Sequence, residues 1–192
     1  MIKMHPDFLH GTIKPMRLSS SLEQAKISKK LKGKVFHVTT LSNFELILAS
    51  GAILHNQTGR FPHRGGFKNA CFNKLAHVSV CDFFHNKSIP KEKYINDYNI
   101  FFDGAIFLFL HPNAFAKLMT WDQGRAKAGL ACQVVPFLES GYPDKIPLSE
   151  IIDVWQIELD GSLKPDPAVI DKLRKVMERS ILACQERNSK KN

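Results

Sequence analysis

A chain of 192 residues with 44% hydrophobic and 23% charged side chains fits one globular domain and excludes a disordered polymer, a collagen-like fibre and a coiled-coil rod. Its longest apolar runs, such as residues 105–110, fall far below the roughly 18 residues a membrane helix needs, and the first residues, MIKMHPDFLHG, hold no apolar leader, so a cytoplasmic protein without membrane association is expected. The net charge of +9 gathers at the ends: residues 1–34 carry 8 Lys/Arg against 2 acids, residues 171–192 carry 7 against 3, and the middle is near neutral.

Residues 1–34 read as a basic lead-in, with Ser19–Ser21 able to cap a short helix over LEQAKISKKL. VFHVTT at 35–40 is β-branched and aromatic, the composition of a strand. From 41 the period changes: Leu41, Phe44, Ile47 and Leu48 fall at helical spacing, Ser42 or Asn43 can cap, and Gly51 is placed to end the helix. Residues 55–74 hold Gly59, Gly65, Gly66 and Pro62 and read as a long loop, a feature usually tied to function or disorder. LAHVSVCDFF at 75–84 reads as a second strand, and residues 101–112 contain a strand apolar enough to be buried on both faces. NAFAKLMTWDQGRAKAGL is expected to give a short helix and a loop, CQVVPFLES a strand interrupted at Pro136, and GYPDKIPLSE a set of turns. IIDVWQIEL at 151–159 reads as the final strand, and residues 165–187 as a closing amphipathic helix with Pro167 in its first turn.

No regular βαβ alternation and no repeat are visible, which favours an α+β fold over a doubly wound sheet. The organisation expected is a lead-in at 1–34, a core at 35–160 and a closing helix with a basic tail at 161–192, within a single domain overall. The four cysteines, at 71, 81, 132 and 184, contain no CxxC pair, so reduced thiols are expected rather than a zinc ribbon or a disulfide framework. The histidines and acids show no spacing that makes a metal set, and no GxGxxG, P-loop, HExxH or GxSxG motif is present. Residues 60–93 interleave Arg60, Arg64, Lys68, Lys74, Lys87, Lys91 and Lys93 with five phenylalanines. That mixture suits stacked bases of a single-stranded nucleic acid or another phosphate-bearing ligand. The basic ends can contact phosphates in the same way, or can serve solubility alone.

Two segments carry a resemblance. In FHVTTLSNFELILASGAI, His37, Val38 and Thr39 on a strand are followed by Asn43, Phe44, Ile47, Leu48 and Gly51. In ESGYPDKIPLSEI, Glu139 is followed by Pro143, Ile146, Pro147, Leu148 and Ile151. In that order and separation they resemble the first and last motifs of the ADP-ribosyltransferase fold, most nearly its DarT-like nucleic-acid-modifying group, over roughly residues 35–159. Each segment also has a plain structural reading: a strand histidine before a core helix, and a solvated turn carboxylate before a strand.

The resemblance implies a split β-sheet with flanking helices, NAD as the donor of ADP-ribose, and a nucleic acid as acceptor. It implies a role as a toxin or phage-defence effector, with an antitoxin or inhibitor protein as a further partner. Glu139 and His37 become the catalytic candidates, and His37, Val38, Thr39, Arg60, Arg64, Ser79 and Phe83 the candidates for binding NAD. Ser79 with Phe83 or Phe84 occupies the second motif's place, where this chain lacks the family's tyrosine. The chemistry is consistent with these types. A carboxylate can stabilise an oxocarbenium-like centre and accept a proton. A histidine can bind a ribose hydroxyl, and an arginine can neutralise a pyrophosphate with paired hydrogen bonds. Arg125 is a further cation for the acceptor, and Gln133 a weaker rival to Glu139. Two other readings stay open: an RNA 2′-phosphotransferase of the same fold, which does not depend on a late glutamate, and a non-catalytic basic nucleic-acid-binding protein.

Overall fold

The computed structural model describes residues 13–58, 70–85, 102, 104–129 and 132–160. The closing helix expected at 165–187, the basic tail, and Arg60 and Arg64 lie outside these residues.

Residue types account for most of the local structure. Strand β1 (Ile13–Leu18) leads into α1 (Ser21–Lys30), where the Ser20 hydroxyl accepts from the Glu23 amide. β2 (Val35–Thr39) leads into α2 (Leu41–Ser50), which is capped by Thr40 rather than by Ser42 or Asn43 and ends at Gly51 in the left-handed conformation. β3 (Ala52–Leu54), α3 (Cys71–Lys74), β4 (His77–Asp82) and β5 (Ile106–Leu110) follow. Then come a 3-10 turn over Pro112–Lys117, β6 (Met119–Thr120) and α4 (Trp121–Ala128). β7 (Glu139–Pro143), β8 (Lys145–Pro147) and β9 (Ile151–Leu159) complete the described elements.

Seven strands form one sheet in the order β1-β9-β5-β2-β4-β7-β6, and β3 pairs with β8 in a second sheet. Only the β1–β9 pair of the large sheet is parallel. The molecule is thus a mixed sheet with a few helices, compatible with the expected α+β class. β5 shows why. Every residue of IFLFL is buried, and because side chains alternate along a strand, Ile106, Leu108 and Leu110 enter one core while Phe107 and Phe109 enter the other. The first core is covered by Phe44, Ile47 and Leu48 of α2 and by Ile53 and Ile146 of the small sheet. The second is closed by Ile27 and Leu31 from α1 and its C-cap, with Phe36 against Phe107 at 5.1 Å and Phe109 against Trp155 at 4.4 Å. Aromatic pairs of this kind contribute roughly 0.5–1.5 kcal/mol each beyond their buried area.

Three expectations are corrected. Residues 13–31 are not a lead-in to the core: β1 pairs along its whole length with β9, and Leu18, Ile27 and Leu31 are buried. CQVVPFLES is not an interrupted strand, since the segment up to Leu138 is a bridge and a turn and the strand begins at Glu139. GYPDKIPLSE contains the end of β7 and all of β8, which belong to different sheets, together with a short 3-10 turn rather than turns alone.

Candidate functional site

β4 sits between β2 and β7, but its two ladders differ in length. Against β7 it pairs from His77↔Pro143 to Cys81↔Glu139. Against β2 it pairs only at Val35↔Asp82 and Phe36↔Cys81, although β2 runs on to Thr39. The sheet therefore forks just beyond Phe36, and His37 is the first β2 residue past the fork.

A side chain takes over where the backbone ladder stops. His37 Nδ1 lies 2.9 Å from the carbonyl oxygen of Ser79. A carbonyl only accepts, so Nδ1 carries the proton and donates. Burial holds the imidazole's pKa below its ordinary value, opposed by this hydrogen bond, so the neutral ring presents Nε2 as an acceptor. From the same residue, the Ser79 hydroxyl donates to Glu139 Oε1 at 2.5 Å. The Val135 amide donates to Glu139 Oε2 at 2.9 Å. His37, Ser79 and Glu139, on β2, β4 and β7, are thus one connected group.

The carboxyl of Glu139 is buried at 6% exposure. Burial raises its pKa above the glutamate norm, and the donors from Ser79 and Val135 only partly offset this. The strand approaches its cover closely here. A Cβ on Gly141 would lie 2.1 Å from the Phe72 ring, and one on Gly124 of α4 2.6 Å from it, so Phe72 can wedge between β7 and α4 only because both positions are glycine. The neighbouring Cys71 thiol is pushed up to about 12, chiefly by burial and then by its hydrogen bond with Cys132, with the charge of Glu139 adding to the effect. Cys71, Cys81 and Cys132 are thiols rather than disulfides.

The other expected site residues are placed as follows. Val38 is half-buried against the second core, and Thr39 is buried at the end of β2 opposite Ile106. Phe83 is not with the His37 group. It is 5% exposed in the second core, with its ring 5.4 Å from Phe36, so its apolar packing overrides the expected ligand-facing role. Phe84 packs beside Phe115 at 4.9 Å. Arg125 is exposed on α4. Gln133 is exposed too, and its backbone carbonyl accepts from the Cys71 amide at 2.7 Å.

Sequence reasoning missed the Val135 amide and the thiol pair. The only available signal was Pro136, which marks a turn before Glu139. It also missed Asp82, which accepts from the Phe84 and His85 amides at 2.9 and 2.8 Å, from His85 Nδ1 at 2.6 Å and from the Ser140 hydroxyl at 2.7 Å.

Among the described residues no three metal-ligating side chains cluster, and no helix is long and apolar enough to cross a membrane. No protein-family model, curated protein or solved structure matches the chain.

Proposed function

We propose that the chain is an NAD-dependent ADP-ribosyltransferase with the split sheet of that fold, acting on a macromolecule, and on a nucleic acid in particular. The observation that carries this reading is the connection of His37, Ser79 and Glu139 across three strands at the fork, joining the two motifs from opposite ends of the core. Ribose hydroxyls are donors, and both His37 Nε2 and the Glu139 carboxylate are acceptors, so the group fits the nicotinamide-side ribose. Transfer breaks the bond between the ribose C1′ and nicotinamide, which leaves with the electron pair. The acceptor nucleophile bonds to C1′ and gives up its proton. Glu139 stabilises the developing positive charge from a water-poor position, where electrostatic interactions are strong, and takes the acceptor's proton. Ser79 and the Val135 amide hold the carboxylate in place. The assignment of Arg60 or Arg64 to the pyrophosphate, the basic stretch at 60–93 as the acceptor's path, the effector role and an antitoxin partner belong to the same reading.

The test uses NAD labelled in its adenylate half, offered with single-stranded DNA, RNA or unfolded protein. Label should appear on nucleic acid and fall by at least about a hundredfold in Glu139→Gln. No transfer by the wild-type protein sinks the enzymatic reading, and label on protein alone sinks the nucleic-acid acceptor. Activity on 2′-phosphorylated RNA that survives Glu139→Gln selects the phosphotransferase instead. Because the Glu139 pKa is raised, the acidic limb of the rate profile should lie above the ordinary glutamate value, with rate increasing as pH rises through it.

A further inference from the structure

The turn that delivers Glu139 adopts a costly conformation. Pro136 is followed by Phe137, which sits at φ 62°, a region that a bulky L residue rarely enters. At the equivalent position of a proline-led turn glycine or asparagine is the usual choice, and another residue there is strained. The turn is closed three times through Val135: its carbonyl accepts from the Leu138 amide at 3.4 Å and the Glu139 amide at 3.0 Å, and its amide donates to Glu139 Oε2 at 2.9 Å. The aim of that amide at the carboxylate therefore depends on the left-handed turn persisting.

A contact with Trp121 favours a phenylalanine where glycine would be unstrained. The Phe137 ring meets Trp121 edge-on, with centroids 4.8 Å apart and planes at 62°, an attractive arrangement of the two rings. Trp121 is the first residue of α4, and α4 is fixed to β7 by the Phe72 wedge at Gly124 and Gly141. A rigid path thus runs from β7 through α4 and Trp121 to Phe137 and back to the residue that begins β7.

We propose that Trp121 and Phe137 are a positioning pair, whose ring contact holds the 135–139 turn in the geometry that aims the Val135 N–H at the Glu139 carboxylate. The inference rests on Glu139 being the working carboxylate, but it concerns geometry that can be read without turnover. Neither residue carries charge. Among the described residues the titratable groups around Glu139 include Cys81 directly opposite it on β4, Asp82 one position on, the thiols of Cys71 and Cys132, and His37 reached through Ser79; all are unchanged in the variants below.

The experiment is a carboxyl carbon-13 titration of the full chain, with the Glu139 signal assigned by its loss in Glu139→Gln. Phe137→Ala keeps the left-handed demand but removes the ring, so the turn should relax, the Val135 donor should be lost and the Glu139 midpoint should move upward. Trp121→Ala should shift it the same way. Phe137→Gly removes the ring and the strain together; the turn should persist and the midpoint should stay near wild type. A side chain that only filled space would give alanine and glycine the same effect. The proposal is overturned if Phe137→Ala titrates like wild type, or if Phe137→Gly shifts as far as Phe137→Ala. A protein that transfers no label yet shows the expected titrations would retain the positioning pair and lose the enzymatic reading.

Discussion

Asp82 and Glu139 are both buried acids, at 2% and 6% exposure, and they lie one position apart across the β4–β7 pair, since Glu139 is opposite Cys81. Their surroundings differ in the number of donors. Asp82 accepts from two amides, a hydroxyl and an imidazole. Burial pushes its pKa up, but the Ser140 hydroxyl and the amide and ring of His85 outweigh it and leave the value lowered. Glu139 accepts from Ser79 and Val135, burial prevails, and its pKa is raised. One carboxylate is thereby fitted to hold β4, β7 and the following turn together. The other retains accepting capacity and an unstable charge, which suits it to act on something outside the fold.

The contrast is open to attack from either side, and the largest effect should come from Asp82. Asp82→Ala leaves buried donors from Ser140, Phe84 and His85 unmatched and should cost about 3 kcal/mol of stability, measured by urea unfolding. The loss should shrink as the pH is lowered. Its lowered pKa means Asp82 stabilises the fold above the unfolded-state value, and this contribution disappears as pH falls through the folded value.

Ser79→Ala comes next. Losing a hydroxyl that donates to a charged group, about 1.5–3 kcal/mol, should lower transfer at neutral pH roughly tenfold to a hundredfold and lower the melting temperature by less than Asp82→Ala does. Rates should recover partly at higher pH, because the Glu139 pKa rises further when that donor is gone.

The smallest effect, and the one of opposite sign, is on stability in Glu139→Gln. A carboxyl whose folded pKa exceeds its unfolded pKa loses stability as pH rises between the two. The amide removes that loss, so at neutral pH the variant should melt at or above the wild-type temperature. Melting well below wild type would make Glu139 a structural acid like Asp82 and erase the distinction.

How far the sequence disclosed this can be judged residue by residue. β9 and α2 were legible because IIDVWQIEL is β-branched and aromatic and because Phe44, Ile47 and Leu48 repeat at helical spacing. β1 was not, since IKPMRL looks like a charged arm. It becomes a strand only against β9, where Lys14 pairs with Asp153 and Arg17 with Glu158, and Pro15 is tolerated because β1 ends the sheet. β7 has no β-branched residue, so its strand character comes from long-range pairing rather than local preference. His37 and Glu139 were legible as residues of interest. Their link was not, because it depends on the short β2–β4 register that frees the Ser79 carbonyl and on the longer β4–β7 register that brings in the carboxylate.

The parallel β1–β9 edge also sets a timetable. The strand at Ile13–Leu18 is synthesised well before its partner at Ile151–Leu159, which follows more than a hundred residues later, and β5 likewise has β9 as one of its two neighbours. From the completion of β5 until β9 is made, one edge of β5, with its fully apolar sequence, lacks its β9 partner. Long-range strand pairing of this kind is slow and leaves partly made chains prone to association. Completion of β9 therefore fills the gap between β5 and β1 and docks β1 in the same late event.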